Sequence, residues 1–205
     1  NTNDWDYYFN KFNYAFNNNG DNPIDTTFTL NTDWNSGGDR PSTVEFRFKS
    51  NEIIPTNASQ SLFSLYFAPD LKSNLILEYT GSGLTSGSYL GSIKDPHYQY
   101  ATLKWIPDVT AGNSASIYLP FFNKDWWSIM ITSGSSNGFE LTAANKIYNG
   151  NDGTSIGYIA SSSINTGSWG VSRTAHFATS SVYSPFSGSF QEIRYYTTIL
   201  NENSF

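Results

Sequence analysis

From Thr43 to Lys49 the chain alternates strictly, with Val44, Phe46 and Phe48 set against Glu45, Arg47 and Lys49. Period-two alternation predicts a strand with one buried and one wetted face. Shorter runs of the same kind occur at 26–30, 61–67, 74–79, 98–106, 116–119, 126–132 and 138–142. Weaker ones occur at 156–160, 167–171 and 174–177. Turn-forming segments separate them, among them Thr80-Gly81-Ser82-Gly83, Pro107-Asp108 and Asn149-Gly150-Asn151-Asp152-Gly153. Many short strands between turns predict two packed antiparallel sheets of about six or seven strands each. Residues 1–24 carry Trp5, Tyr7, Tyr8, Phe9, Phe12, Tyr14 and Phe16, then the Asn-rich run 17–23, and predict a first strand or arm followed by a turn. A short helical turn is expected near 200–205. The pattern has no internal repeat, and 205 residues suit one sandwich domain over 1–205.

Composition sharpens this picture. Charged residues make up 14% of the chain and aromatics 17%, a balance of sheets and polar loops rather than of helices. Net charge is −6, with no clustered Lys and Arg to neutralise phosphate, which argues against nucleic acid as a partner. No apolar run approaches the length of a membrane span. There are no cysteines, so disulfides contribute nothing to stability. The chain starts at Asn1 without a leader-like pattern, and a processed or trimmed piece of a larger polypeptide is expected.

Three segments in chain order resemble one family. Residues 43–49 are similar to the F-T-V-E-F-W-V-K strand of laminin-G-like domains. Trp127-Ser128-Ile129-Met130-Ile131-Thr132 resembles their W-H-H-V-A-V-T strand, with Ser128 in place of a His. The stretch Phe186-Ser187-Gly188-Ser189-Phe190-Gln191-Glu192-Ile193-Arg194-Tyr195-Tyr196 resembles their closing F-x-G-x-I-D-E-V-R-I-Y run, with Gln191 where an acid is frequent. The resemblance implies an all-β fold, a two-sheet antiparallel β-sandwich of the concanavalin A-like jelly-roll kind. On that fold Ile193 and Tyr195 face one way and Glu192, Arg194 and Tyr196 the other, while Trp105, Trp127, Phe46, Phe48 and Phe63 belong to the core.

The same jelly roll hosts glucanases, which place two carboxylates about 5 Å apart through an E-x-D-x-x-E strand. That pattern is absent, and Glu192, Glu140 and Glu78 stand alone on their strands. His97 and His176 lie beside no nucleophile elbow, and both read as surface residues. No catalytic residues are expected, and a glycoside hydrolase is the least favoured reading. The resemblance implies a Ca²⁺ site at the rim of the sandwich, built from oxygen ligands. Asp70, Asn151 and Asp152 are the candidate metal ligands, although Asn-Gly and Asp-Gly are also the commonest hairpin chemistry, and the turn is the preferred reading. For ligand contact the candidates are Trp34, Tyr89, Tyr98, Tyr100, Tyr148 and Trp169, each in or beside a polar loop or on an outward strand position. Aromatic faces stack on sugar rings while amides hold the hydroxyls. Asn57-Ala58-Ser59 is a glycosylation sequon if a eukaryotic secretory route applies.

The expected function is non-catalytic recognition of a carbohydrate or protein receptor by a lectin-like module, as part of a secreted, cell-surface or virion protein. The alternative is a structural module packing against neighbouring subunits in a capsid, fibre or surface layer.

Overall fold

The computed structural model describes residues 16–18, 29–31, 41–52, 59–67, 70–79, 99–134, 138–149, 153–167 and 174–200. They form two sheets. The six-stranded sheet runs in the order β1 (Phe16–Asn18), β13 (Gly188–Tyr196), β3 (Thr43–Ser50), β8 (Trp127–Gly134), β9 (Gly138–Asn149) and β10 (Gly153–Ile164). The seven-stranded sheet runs β2 (Thr29–Asn31), β11 (Thr174–Phe177), β4 (Ser59–Phe67), β5 (Asp70–Glu78), β6 (Ala101–Ile106) and β7 (Ala115–Leu119). The two-residue β12 (Ser184–Pro185) completes it, pairing parallel to β4 where every other pair is antiparallel. This is the all-β, two-sheet sandwich that the alternation predicts. No helix among the described residues is long and apolar enough to cross a membrane.

Inward positions of both sheets meet in one core containing Phe46, Phe48, Trp127, Ile129, Ile193, Phe63, Leu75, Trp105 and Phe177. The five aromatics assigned to the interior are all 1% exposed or less. Rings bridge the layers. Phe46 of β3 meets Phe177 of β11 edge-on at 5.4 Å, and Trp105 of β6 meets Phe139 of β9 at 5.6 Å. The indole N–H of Trp127, carried into the core, donates to Asn123 Oδ1 at 3.0 Å, which removes the cost of burying it.

Strict alternation would put Phe190 and Ile193 on opposite faces. A bulge between Gln191 and Arg194, with Glu192 at φ 55°, restores both to the core. Tyr195 packs beside them. The Phe-x-Gly start of β13 has a steric cause: a Cβ on Gly188 would collide with the Phe186 ring and with the Lys49 carbonyl. Past β13 the chain is tied across β3. Thr43 Oγ1 donates to the Thr198 carbonyl at 2.9 Å and accepts from the Leu200 amide at 3.0 Å.

Several expected features fall elsewhere. The helical turn near 200–205 lies, beyond Leu200, outside the described residues, as do most of the arm at 1–24 and the strand at 167–171 past Gly167. β9 and β10 form an antiparallel hairpin that reaches Asn149↔Gly153. The Asn-Gly-Asn-Asp-Gly segment therefore joins two paired strands. Both are far longer than the runs 138–142 and 156–160, because residues such as Ser161–Ser163 show no alternation to extend the pattern.

Candidate functional site

At one side of the sandwich β7, the last strand of its sheet, lies beside β10, the last strand of the other. The Ser116 amide donates across to Ser162 Oγ at 3.1 Å, and Asn113 Nδ2 donates to Thr166 Oγ1 at 3.4 Å. Three tyrosines gather at the other end of this seam. On β7, Ile117 turns inward, which leaves Tyr118 on the outer face at 53% exposure. Tyr100, just before β6, has the same outward phase, and its ring lies 5.1 Å from that of Tyr118.

Tyr158 arrives from the opposite sheet. By simple alternation it shares the phase of Ala160 and Ile164, which pack against the core, and the ladder slips just before it, between Ile156 and Tyr158. β10 ends its sheet among the described residues, and the ring is 38% exposed, lying 5.8 Å from Trp127 and hydrogen-bonding to Tyr100. Partial burial, then the phenols of Tyr158 and Tyr118, push the Tyr100 hydroxyl above the usual tyrosine range. Tyr100 is therefore a neutral hydrogen-bonding group at physiological pH. Ile159 adds an exposed aliphatic side chain, at 46%, on the outer face of β10.

The strip carries no charge. Neither 113–119 nor 153–166 contains an Asp, Glu, Lys, Arg or His. Lys104, in register with Ser116, is held by Glu78 at 2.8 Å. Asp108 in the β6–β7 connection accepts from the Thr110 hydroxyl at 2.6 Å and its amide at 2.8 Å, and these bonds hold its carboxyl below the usual range.

Of the aromatics singled out from the sequence, Tyr100 takes part in this cluster. Tyr148 is on β9, opposite Thr154; Trp34, Tyr89, Tyr98 and Trp169 lie outside the described residues. Sequence reasoning missed Tyr118 and Tyr158. Tyr118 had a legible signal, the polar phase of a short strand bounded by Ile117 and Leu119. The phase of Tyr158 follows from alternation with Ala160, but nothing in the local pattern marks β10 as the strand that ends its sheet and leaves this ring partly open. Among the metal candidates, Asp70 opens β5, exposed and 3.9 Å from Lys72 Nζ; Asn151 and Asp152 lie outside the described residues, and among those described no three His, Cys, Asp or Glu gather. His97 also lies outside them. His176 is less open than a surface residue: it stacks edge-on against Tyr66 at 5.0 Å, and burial lowers its pKa.

No family model matches the chain and no curated protein matches it. Among solved structures it is similar to a point mutant of HCR/D, with TM-score 0.48 and 13% identity over 94% of this chain and 45% of that one. It is also similar to a structure of botulinum neurotoxin type C, whose cell entry is described as dependent upon interaction with two ganglioside molecules, with TM-score 0.44 and 9% identity over 93% and 43%. A third is the CBM2 module of an evolved Dit protein from a Lactobacillus casei phage, with TM-score 0.36 and 11% identity over 82% and 68%. The chain spans less than half the length of the first two. Likenesses at this level assign no function to this chain.

Proposed function

We propose that this chain is a non-catalytic recognition module, lectin-like or receptor-binding, belonging to a larger secreted, cell-surface or virion protein. The observation that carries the reading is the exposed Tyr100–Tyr118–Tyr158 cluster on an uncharged edge of the sandwich. Tyrosines held by neighbouring rings offer flat contact area at little entropic cost, which suits recognition of a carbohydrate or a protein receptor. Carboxylates set for acid–base catalysis would face a shared cleft. Here Glu78 pairs with Lys104, Glu45 with Arg194, and Glu192 with Arg47 and Arg194.

Ca²⁺ bound through Asp70, Asn151 and Asp152 would order loops at the rim, and chelation would then weaken binding. The deciding experiment is binding to a glycan and receptor panel, with and without EDTA, for the parent chain and Tyr118→Ala. Loss of binding in the variant with unchanged thermal unfolding supports the reading; unchanged binding removes it.

A second reading is favoured by β10, a twelve-residue edge strand that exposes Ile159. Long uncharged edges invite strand pairing, and a structural module would use this one against neighbouring subunits. A concentration-dependent oligomer abolished by Ile159→Lys, with no ligand found, would favour it.

A further inference from the structure

We infer that the β7–β10 seam takes an uncharged, linear oligosaccharide laid along its length, an inference that rests on the recognition reading above and fixes the chemistry of its ligand. The seam offers two kinds of contact in sequence. At one end the side chains of Tyr118 and Tyr158 are open to solvent, and aromatic rings suit the C–H faces of pyranose rings. Toward the other end stand Ser116, Ser162, Asn113 and Thr166. Ser162 Oγ and Thr166 Oγ1 each accept a bond from across the seam, which leaves their own O–H groups to donate to a ligand oxygen. From Tyr118 back to Asn113 is about 16 Å of extended chain, room for a short run of sugar rings and not merely one.

Charge decides between ligand classes. A sialylated, sulfated or uronic-acid glycan would call for Arg or Lys in the strip, and there is none; the adjacent Lys104 is held by Glu78. The net charge of −6 adds a general repulsion of anions. A basic ligand would find no carboxylate between 113 and 119 or between 153 and 166. A protein partner is also a poorer match, because Ser is depleted from protein interfaces and rare among their energetic anchors, whereas Ser116, Ser161, Ser162 and Ser163 dominate this surface.

The test is calorimetric titration with neutral glucan, mannan and galactan hexasaccharides, their monosaccharides, and sulfated or uronate counterparts, at low and high salt. Expected are binding of at least one neutral hexasaccharide, far weaker binding of its monosaccharide, and little salt dependence. Tyr118→Ala should weaken binding ~tenfold, and Ser162→Ala by roughly threefold. Tyr158→Ala opens the contact with Trp127 and can disturb folding; Tyr158→Phe keeps the packing and should lose binding modestly. Preference for the acidic counterparts, strong salt sensitivity, an unaffected Tyr118→Ala, or silence across the whole panel would each overturn the inference. A protein receptor or acidic glycan whose binding is lost in Tyr118→Ala sinks the neutral-saccharide ligand alone. A Tyr118→Ala change confined to oligomeric state, with no ligand of any class, sinks the recognition reading with it.

Discussion

The outer face of β13 and β3 and the seam of β7 and β10 lie in different parts of the same sandwich and use polar groups in opposite ways. On the first, Arg194 pairs with Glu45 at 3.7 Å and Glu192 at 3.6 Å, while Arg47 pairs with Glu192 at 3.8 Å and lies over the Trp126 ring at 5.8 Å. The Tyr196 hydroxyl adds a bond to Glu45 at 3.3 Å. Two cations and two anions balance within the network, although the buried Arg47 Nε has no hydrogen-bond partner there. On the seam no charge needs an answer, and hydroxyls and phenol rings remain open to solvent. A face whose charges are paired with one another serves the fold; one whose groups keep spare donors and exposed rings is available for binding.

The comparison predicts large stability effects on the first side and small ones on the second. The largest is Gly188→Ala, which forces a methyl between the Phe186 ring and the Lys49 carbonyl. A loss of about 3 kcal/mol is expected in denaturant unfolding, and a change under 1 kcal/mol would show that β13 can shift to make room. Next, Arg194→Ala leaves Glu45, 8% exposed, without its cation. The expected cost is about 2 kcal/mol, reduced from the fully buried case because Arg194 itself is partly open. Tyr118→Ala, a truncation of a larger side chain, should alter stability by no more than about 0.5 kcal/mol while abolishing most binding. Equal destabilisation by the two variants would erase the distinction.

Two pH effects are smaller. Burial depresses the pKa of His176, so the unfolded chain takes up a proton first as pH falls. Stability should be full above about 6.5 and decline as pH drops from there through the lowered folded value. His176→Gln should flatten that limb in urea titrations at a series of pH values, and an unchanged slope would assign it to other groups. The Asp108 carboxyl, held down by Thr110, contributes stability above about 3.9 that is lost as pH falls through its folded value. Asp108→Asn should therefore soften acid unfolding slightly, and an identical acid limb would show that its bonds to Thr110 do not count.

The alternation of 43–49 and the apolar runs at 61–67, 98–106 and 126–132 were enough to determine an all-β sandwich and to assign Phe46, Phe48, Phe63, Trp105 and Trp127 to its interior, because burial on a pleated strand repeats every second residue. Tyr100 was legible as an outward aromatic for the same reason. The seam was not. Bulges at Gly157 and near Glu192 shift the phase by one residue, and nothing in the local pattern marks where the ladder slips. Nor does alternation say which strand ends a sheet or which edge it meets. Tyr158 and Tyr118 are brought together by the order of strands in two separate sheets, and Ser116 reaches Ser162 across 46 positions of chain. Local periodicity reports which side of a strand is dry; only the closing of both layers around a shared core brings distant polar side chains together at one exposed edge.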